Sequence, residues 1–224
     1  MKHLFFLLAL LASFAAARAE ETAQEAEKEP VPTAAQTLRR LQLAEGLQAE
    51  LVASEPLIRN PICFWIDPKG KIYVCESDRL TRGVLDNRRY AYWIDDDLAA
   101  RTVADREAFY KKHLGKSLEE FTKYDDRIRL LVDTDDDLKM DRSSVFADGF
   151  NGLVQGAGAG VLAIGDDVYY TCIPDLWKLK DTDGDGRADV RTSLHTGYGV
   201  HVAFRGHDMH GLIMGPDGRL YFSI

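Results

Sequence analysis

Cysteine is scarce in this chain: Cys63, Cys75 and Cys172 make an odd number, and none belongs to a Cys-x-x-Cys-His motif. Attachment of a c-type haem within these residues is thereby excluded. Each cysteine lies in an apolar, strand-like run, which reads as a set of buried free thiols. A Cys63–Cys75 bridge across one hairpin is the alternative, and it depends on a register that puts both side chains on one face. Long apolar runs are missing after the first twenty residues, so no later segment offers the ~20 apolar residues that a membrane helix needs. Positive charge is also short: 28 Lys and Arg stand against 36 Asp and Glu, a formal charge of −8, which argues against nucleic acid as a partner.

What the beginning of the chain does have is Met1-Lys2-His3 followed by an apolar run from Leu4 to Ala17 and the small-x-small triplet Ala17-Arg18-Ala19. The run is too short to span a bilayer and suits a signal peptide over residues 1–19, with an uncleaved anchor as the alternative. Cleavage after Ala19 implies an exported protein, periplasmic or extracellular. It removes the two positive charges of Lys2 and Arg18, so −8 becomes −10, and it leaves no cysteine to carry a lipid. Residues 20–36, with too little apolar surface to bury and with Pro30 and Pro32, read as a disordered linker.

Self-comparison supplies the main architectural signal. Asp133-Thr-Asp-Asp-Asp-Leu-Lys-Met-Asp141 recurs as Asp181-Thr-Asp-Gly-Asp-Gly-Arg-Ala-Asp189, and Gly149-Phe150 recurs as Gly197-Tyr198, both at a spacing of 48. That period suits a propeller blade. Three hairpins share one build, in which a short apolar run (Ile62–Ile66, Gly160–Ile164, Gly211–Met214) meets a Gly-containing turn and then a β-branched and aromatic run. Third strands are expected at Arg127–Val132 and Leu176–Lys180, and a fourth at Val190–His195. The expectation is all-β: residues 37–224 as the N-terminal part of a β-propeller, about two and a half four-stranded blades. Such a chain stops before a propeller closes and reads as a fragment of a longer protein or a truncated gene product; a small complete sandwich is the rival. A short helical insertion, about Asp78 to Asp126, is expected in the first blade, with one helix near Ala104–His113. A second would open at the capping box Ser117-Leu-Glu-Glu120 and run through Tyr124.

Asp181, Asp183, Asp185 and Asp189 occupy positions 1, 3, 5 and 9 of a D-x-D-x-D-G loop, with Arg187 offering a backbone carbonyl. Hard oxygens at that spacing point to calcium, against an unoccupied acidic turn. The earlier copy keeps Asp133, Asp135, Asp137 and Asp141 but has Leu138 where the loop wants a glycine that tolerates positive φ. Either site would be structural, pinning a hairpin.

Between the second and third repeats, His195, His201, His207 and His210 cluster within sixteen residues beside Arg205 and Asp208. The stretch from His207 to Ile224, with Gly215-Pro-Asp-Gly218 and Leu220-Tyr221, resembles the H-x-G-G…G-P-D-G-x-L-Y-x-S segment of soluble quinoprotein glucose/sorbosone dehydrogenases. On that resemblance His207 is the catalytic base that takes a proton from a sugar or other alcohol while pyrroloquinoline quinone accepts hydride. Arg205, Asp208 and His210 fall on the cofactor side, and Met209 and His210 replace two glycines of the pattern. A second likeness covers more of the chain. Glu50-Leu-Val-Ala-Ser-Glu-Pro-Leu57, Asn60-Pro61, Asp125-Asp-Arg-Ile128, the Asp-Thr-Asp loops and Gly206–Gly211 resemble the large exported "membrane-bound dehydrogenase" or PVC-type haem-binding proteins. That resemblance implies missing C-terminal blades and a cytochrome-like domain holding haem outside these residues. Two other readings remain: His207, Asp208, His210 and His201 as transition-metal ligands, or a non-catalytic binding or scaffold propeller.

Overall fold

The computed structural model describes residues 31–224, so the segment read as a signal peptide (1–19) and the first part of that read as a linker lie outside the described residues. Two units divide between Leu51 and Val52. In the first, α1 (Ala34–Arg40) opens on a capping box in which the Thr33 hydroxyl accepts from the Gln36 amide and the Gln36 side chain accepts from the Thr33 amide. The stretch read as a linker up to Gln36 is therefore helical from Ala34, because these two side chains satisfy amides that a helix start leaves free. None of its residues is buried.

The second unit, Val52–Ile224, is mostly β, with ten strands in antiparallel sheets of four, four and two. The first sheet is a meander of β1 (Pro61–Ile66), β2 (Ile72–Ser77), β3 (Asp126–Val132) and β4 (Arg142–Phe150). The second repeats it with β5 (Gly160–Ile164), β6 (Asp167–Cys172), β7 (Asp175–Lys180) and β8 (Val190–Thr196), and the third is the hairpin of β9 (His210–Met214) and β10 (Leu220–Ser223). Sheets begin and end within a residue or two of the runs that alternation and turn chemistry predict. At the β1–β2 turn, for example, Asp67 accepts from the Lys69 and Lys71 amides while Gly70 supplies φ +81°.

Packing follows from β5, whose residues are buried on both faces. Val161 and Ala163 meet Tyr73, Cys75, Ile128 and Phe146 of the first sheet, whereas Leu162 meets Met209 and Leu212 at the third. A strand covered on both sides reads as a continuous apolar run, as Gly160–Ile164 does. The outer face of β2 and β3 is closed by Ala53, Leu57 and Ile58 against Ile72, Val74 and Leu131.

The insertion between β2 and β3 carries α2 (Ile94–Ala99), α3 (Val103–Leu114) and α4 (Leu118–Thr122). The expected helix near Ala104–His113 is α3, and its start is fixed by a box formed by Thr102 and Asp105. Ser117 does not cap α4. It already has helical backbone angles, at the end of a 3-10 turn over Gly115–Ser117, and its hydroxyl makes no capping bond. A cap residue needs extended backbone to aim its oxygen at the free amides, which Thr102 has and Ser117 lacks.

The two acidic loops superpose in conformation as well as sequence. Gly184 and Gly186 take φ +81° and +89°, and their counterparts Asp136 and Leu138 take +61° and +67°. Leu138 is three-quarters exposed, so little packing offsets its steric cost in the left-handed region, roughly 1 kcal/mol. Leu138→Gly is expected to raise unfolding stability by up to about 1 kcal/mol, read from the urea midpoint, with the same change at exposed Leu98 in α2 lowering it.

Candidate functional site

The connection from β8 to β9, residues 197–209, is four residues longer than its counterpart from β4 to β5, residues 151–159. The histidines sit in this extension. Both connections are tied to the same turn between β6 and β7: Gly156 N–H donates to the Ile173 carbonyl at 2.8 Å, while Gly197 and Tyr198 N–H donate to the Pro174 carbonyl. They also touch each other, since a side chain on Gly156 would come within 2.3 Å of Ala203 Cβ. Below them the Thr171 hydroxyl donates to the Met209 carbonyl at 2.5 Å, and Met209 is fully buried.

Burial along 207–210 distinguishes the side chains. His207 and His210 are exposed, Met209 points into the core, and Asp208 is half-buried. Burial raises the Asp208 carboxyl against the opposing pull of the Ala157 N–H and the two flanking histidines, and its Oδ1 has no hydrogen-bond partner. His210 Nδ1 lies 3.3 Å from the Ser223 hydroxyl on β10. His195 packs on Tyr198, which meets Phe222 edge-on at 5.2 Å. His201 is half-buried at φ +65°, a conformation that a non-glycine residue holds only when its surroundings impose it. Arg205 is exposed, and its amide donates to the Leu85 carbonyl at 2.9 Å. Among the described residues the histidines and Asp208 do not gather their ligand atoms into one cluster, so the transition-metal reading of the loop is not carried by its geometry.

The helical insertion closes on this loop. Arg106, 5% exposed, donates from Nε to the Val200 carbonyl at 2.9 Å and pairs with Asp97. Leu85, Trp93, Phe109 and Tyr110 pack with Val202 and the half-buried Phe204. Two clefts result, on either side of Gly199, Val200 and Phe204. One of about 440 Å³ lies between the loop and the insertion, reached by His201, Arg101 and Arg106. The other, of about 470 Å³, is lined by Val200, Val202, Phe204 and His207. His207 thus stands at the wall of an apolar depression.

Behind the loop lies a polar core that sequence reasoning missed. Asp126, fully buried, accepts from the amides of Gly158 at 2.8 Å, Asp78 at 3.1 Å and Arg79 at 3.3 Å. Burial pushes its carboxyl up to about 6 while these amides and the Arg79 charge oppose the rise. Arg79, also fully buried, gives its guanidinium to the carbonyls of Gly83, Phe150, Gly152 and Gln155. Asp126 did stand in the Asp-Asp-Arg-Ile stretch, yet nothing in its neighbours shows that Arg79 lies beside it. Gly158, whose amide Asp126 holds, passes directly over the Tyr170 ring: a Cβ there would fall 1.5 Å from Tyr170 Oη. Gly158→Ala is expected to cost about 3 kcal/mol of stability by urea unfolding, and Gly158→Ala in a Tyr170→Leu background should cost much less beyond Tyr170→Leu alone.

The acidic loops bring together three carboxylates each: oxygens of Asp181, Asp183 and Asp185 lie within 4.8 Å of one another, as do those of Asp133, Asp135 and Asp137. The fourth carboxylate of each set is engaged elsewhere. Asp189 accepts from the Thr182 amide and hydroxyl, and Asp141 does the same for Thr134, because closing the loop needs that bond. Asp181 is itself bonded to the Gly184 and Gly186 amides at 2.8 and 2.9 Å. Arg187 turns its side chain to Asp148. Charge crowding shows in Asp135, whose carboxyl is raised chiefly by Asp137.

No curated protein and no solved structure matches the chain. Residues 33–224 match the family described as Domain of unknown function (DUF7133). Since that match runs through the capping box of α1, all ten strands, both acidic loops and the histidine loop, the chain belongs to the DUF7133 family.

Proposed function

We propose that the three sheets are successive blades of an exported β-propeller, and that the loop carrying His207 forms part of a site that oxidises a sugar or other alcohol. The supporting observation is the placement of His207: exposed, on the connection into the first strand of the third sheet, at the wall of a cleft lined by Val200, Val202 and Phe204. The innermost strands β1, β5 and β9 pack in succession, as blades about an axis would. The loop backbone is held by Arg106, Leu85 and Thr171, so the fold does not use the exposed imidazole structurally. Asp208 is turned inward and does not orient the imidazole, so His207 would act alone as the proton acceptor. The cleft beside it, walled by Val200, Val202 and Phe204, suits a flat, partly apolar group such as a quinone, which would take the hydride when bound; Arg205 and His210 are exposed but do not line that cleft. Dehydrogenase-like proteins of this kind place further blades around the cofactor, so the test uses the complete gene product. Supplied with pyrroloquinoline quinone and calcium, it is expected to bind the quinone and reduce a dye in the presence of aldoses or alcohols. Quinone binding without any substrate-dependent reduction would leave a binding propeller, and neither would remove the oxidative reading.

A structural calcium in the acidic loops is proposed alongside either outcome. Three carboxylate oxygens crowded within 4.8 Å suit a hard divalent cation that relieves their repulsion. A cation held only by the folded chain at about 100 times its dissociation constant adds about 2.7 kcal/mol. For a domain of this size that raises Tm by roughly 5–10 °C. Calcium after chelator treatment is expected to produce such a rise, and Asp181→Asn to lose most of it. An unchanged Tm would show the loops to be acidic turns held by their amide bonds alone.

A further inference from the structure

The three cysteines, which no functional reading uses, are not equivalent. Cys63 on β1 and Cys75 on β2 are directly opposed in the antiparallel register, next to the pairs Phe64–Val74 and Trp65–Tyr73. Both thiols therefore lie on one face, in the core that includes Tyr73, Ile128 and Val161. Directly opposed residues hold their Cβ atoms about 4.5–5.5 Å apart, and a disulfide holds them about 3.5–4.5 Å apart, so a closing movement of about 1 Å suffices. The register is irregular just before Cys63, between it and Pro61, which leaves that end of β1 free to make the movement.

We propose that Cys63 and Cys75 form a cross-strand disulfide by exchange with a disulfide oxidant, tying the edge strand of the first sheet to its neighbour. Cys63 is the attacking thiol, because it is half-exposed while Cys75 is fully buried. The hydrogen bond from Cys75 favours the Cys63 thiolate, and burial holds Cys75 protonated. The Cys63 thiolate attacks one sulfur of the oxidant, forming a mixed disulfide and releasing the first thiol. Cys75 then attacks Cys63 Sγ, its proton passing to the departing second thiolate. Two protein thiols are oxidised and one external disulfide is reduced to two thiols. Cys172 is left over, which accounts for the odd number: it sits fully buried on β6, its thiol directed at the Gly156 carbonyl at 3.4 Å.

The test equilibrates the purified chain in glutathione buffers from reducing to oxidising, followed by acid quench, alkylation in denaturant and peptide mass mapping. The expected product is a single Cys63–Cys75 linkage lighter by two hydrogens, with Cys172 alkylated throughout and the linkage retained in Cys172→Ala. Oxidation should raise Tm by roughly 5–10 °C, as closing a short loop does. In Cys75→Ser, Cys63 should stop at the glutathione adduct. A Cys75–Cys172 linkage, a persistent glutathione adduct on Cys63 of the unmutated chain, or three free thiols at the oxidising end would each overturn the proposal.

Discussion

Replacing Arg79 with methionine is expected to destabilise the chain by about 4 kcal/mol, enough to lower Tm by roughly 10 °C. The guanidinium is the sole side-chain donor to the carbonyls of Gly83, Phe150, Gly152 and Gln155 among the described residues, and Arg79 is itself fully buried. Methionine fills the space but supplies no donor, so the carbonyls of the buried residues Gly83 and Phe150 lose the guanidinium at about 1–3 kcal/mol each before relaxation, while the exposed Gly152 keeps the Gln155 amide on its carbonyl. Charge adds a pH signature. Asp126 has a folded pKa of about 6, above the ordinary carboxylate range, so its ionised form is penalised in the fold. Stability from this group is greatest at low pH and is lost as pH rises through about 6. Loss of the Arg79 charge enlarges that penalty, so the gap between the native chain and Arg79→Met should be widest above about pH 7 and narrow toward pH 4. Urea unfolding across this range checks both parts. A pH-independent gap would mean that the guanidinium acts on the carbonyls alone.

The second large effect concerns His207. If it takes the substrate hydroxyl proton, His207→Ala in the complete, quinone-loaded gene product should lower kcat by about a hundred- to ten-thousand-fold, the usual contribution of a positioned general base. Quinone affinity and KM should move only a few-fold, because the side chain is exposed and the loop is held by Met209, Val200 and Arg205 backbone contacts. Stability should be unchanged for the same reason. A comparable fall in kcat for His210→Ala, whose ring leans on Ser223 instead, would move the base to that residue.

These two residues also mark what the sequence makes legible. The strands, their turns and the 48-residue period could be read directly, because alternation and turn chemistry are local and three copies reinforce one another. The histidines stood out as a cluster for the same reason. Arg79 and Asp126 did not, since their bonds span the whole insertion and are made to backbone carbonyls and amides, which any residue type supplies. Arg106 was equally hidden: its position on α3 follows from the capping box at Thr102, but its reach to Val200 depends on how the insertion folds over the loop. At Ser117 the local signal was present and misleading, because a preceding 3-10 turn had already committed the backbone. In the acidic loops the spacing brings three carboxylates within reach of one another, while the fourth of each set accepts from a threonine across the loop, a bond that the spacing alone does not reveal.

Radial assembly of the sheets is the claim on which the site depends, and a crystal structure of the complete gene product tests it most directly. The account predicts β1, β5 and β9 as innermost strands of successive sheets about one axis, with His207 facing that axis. A third sheet that joins the edge of the second as one continuous sheet, or a His207 on the outer rim, would contradict it.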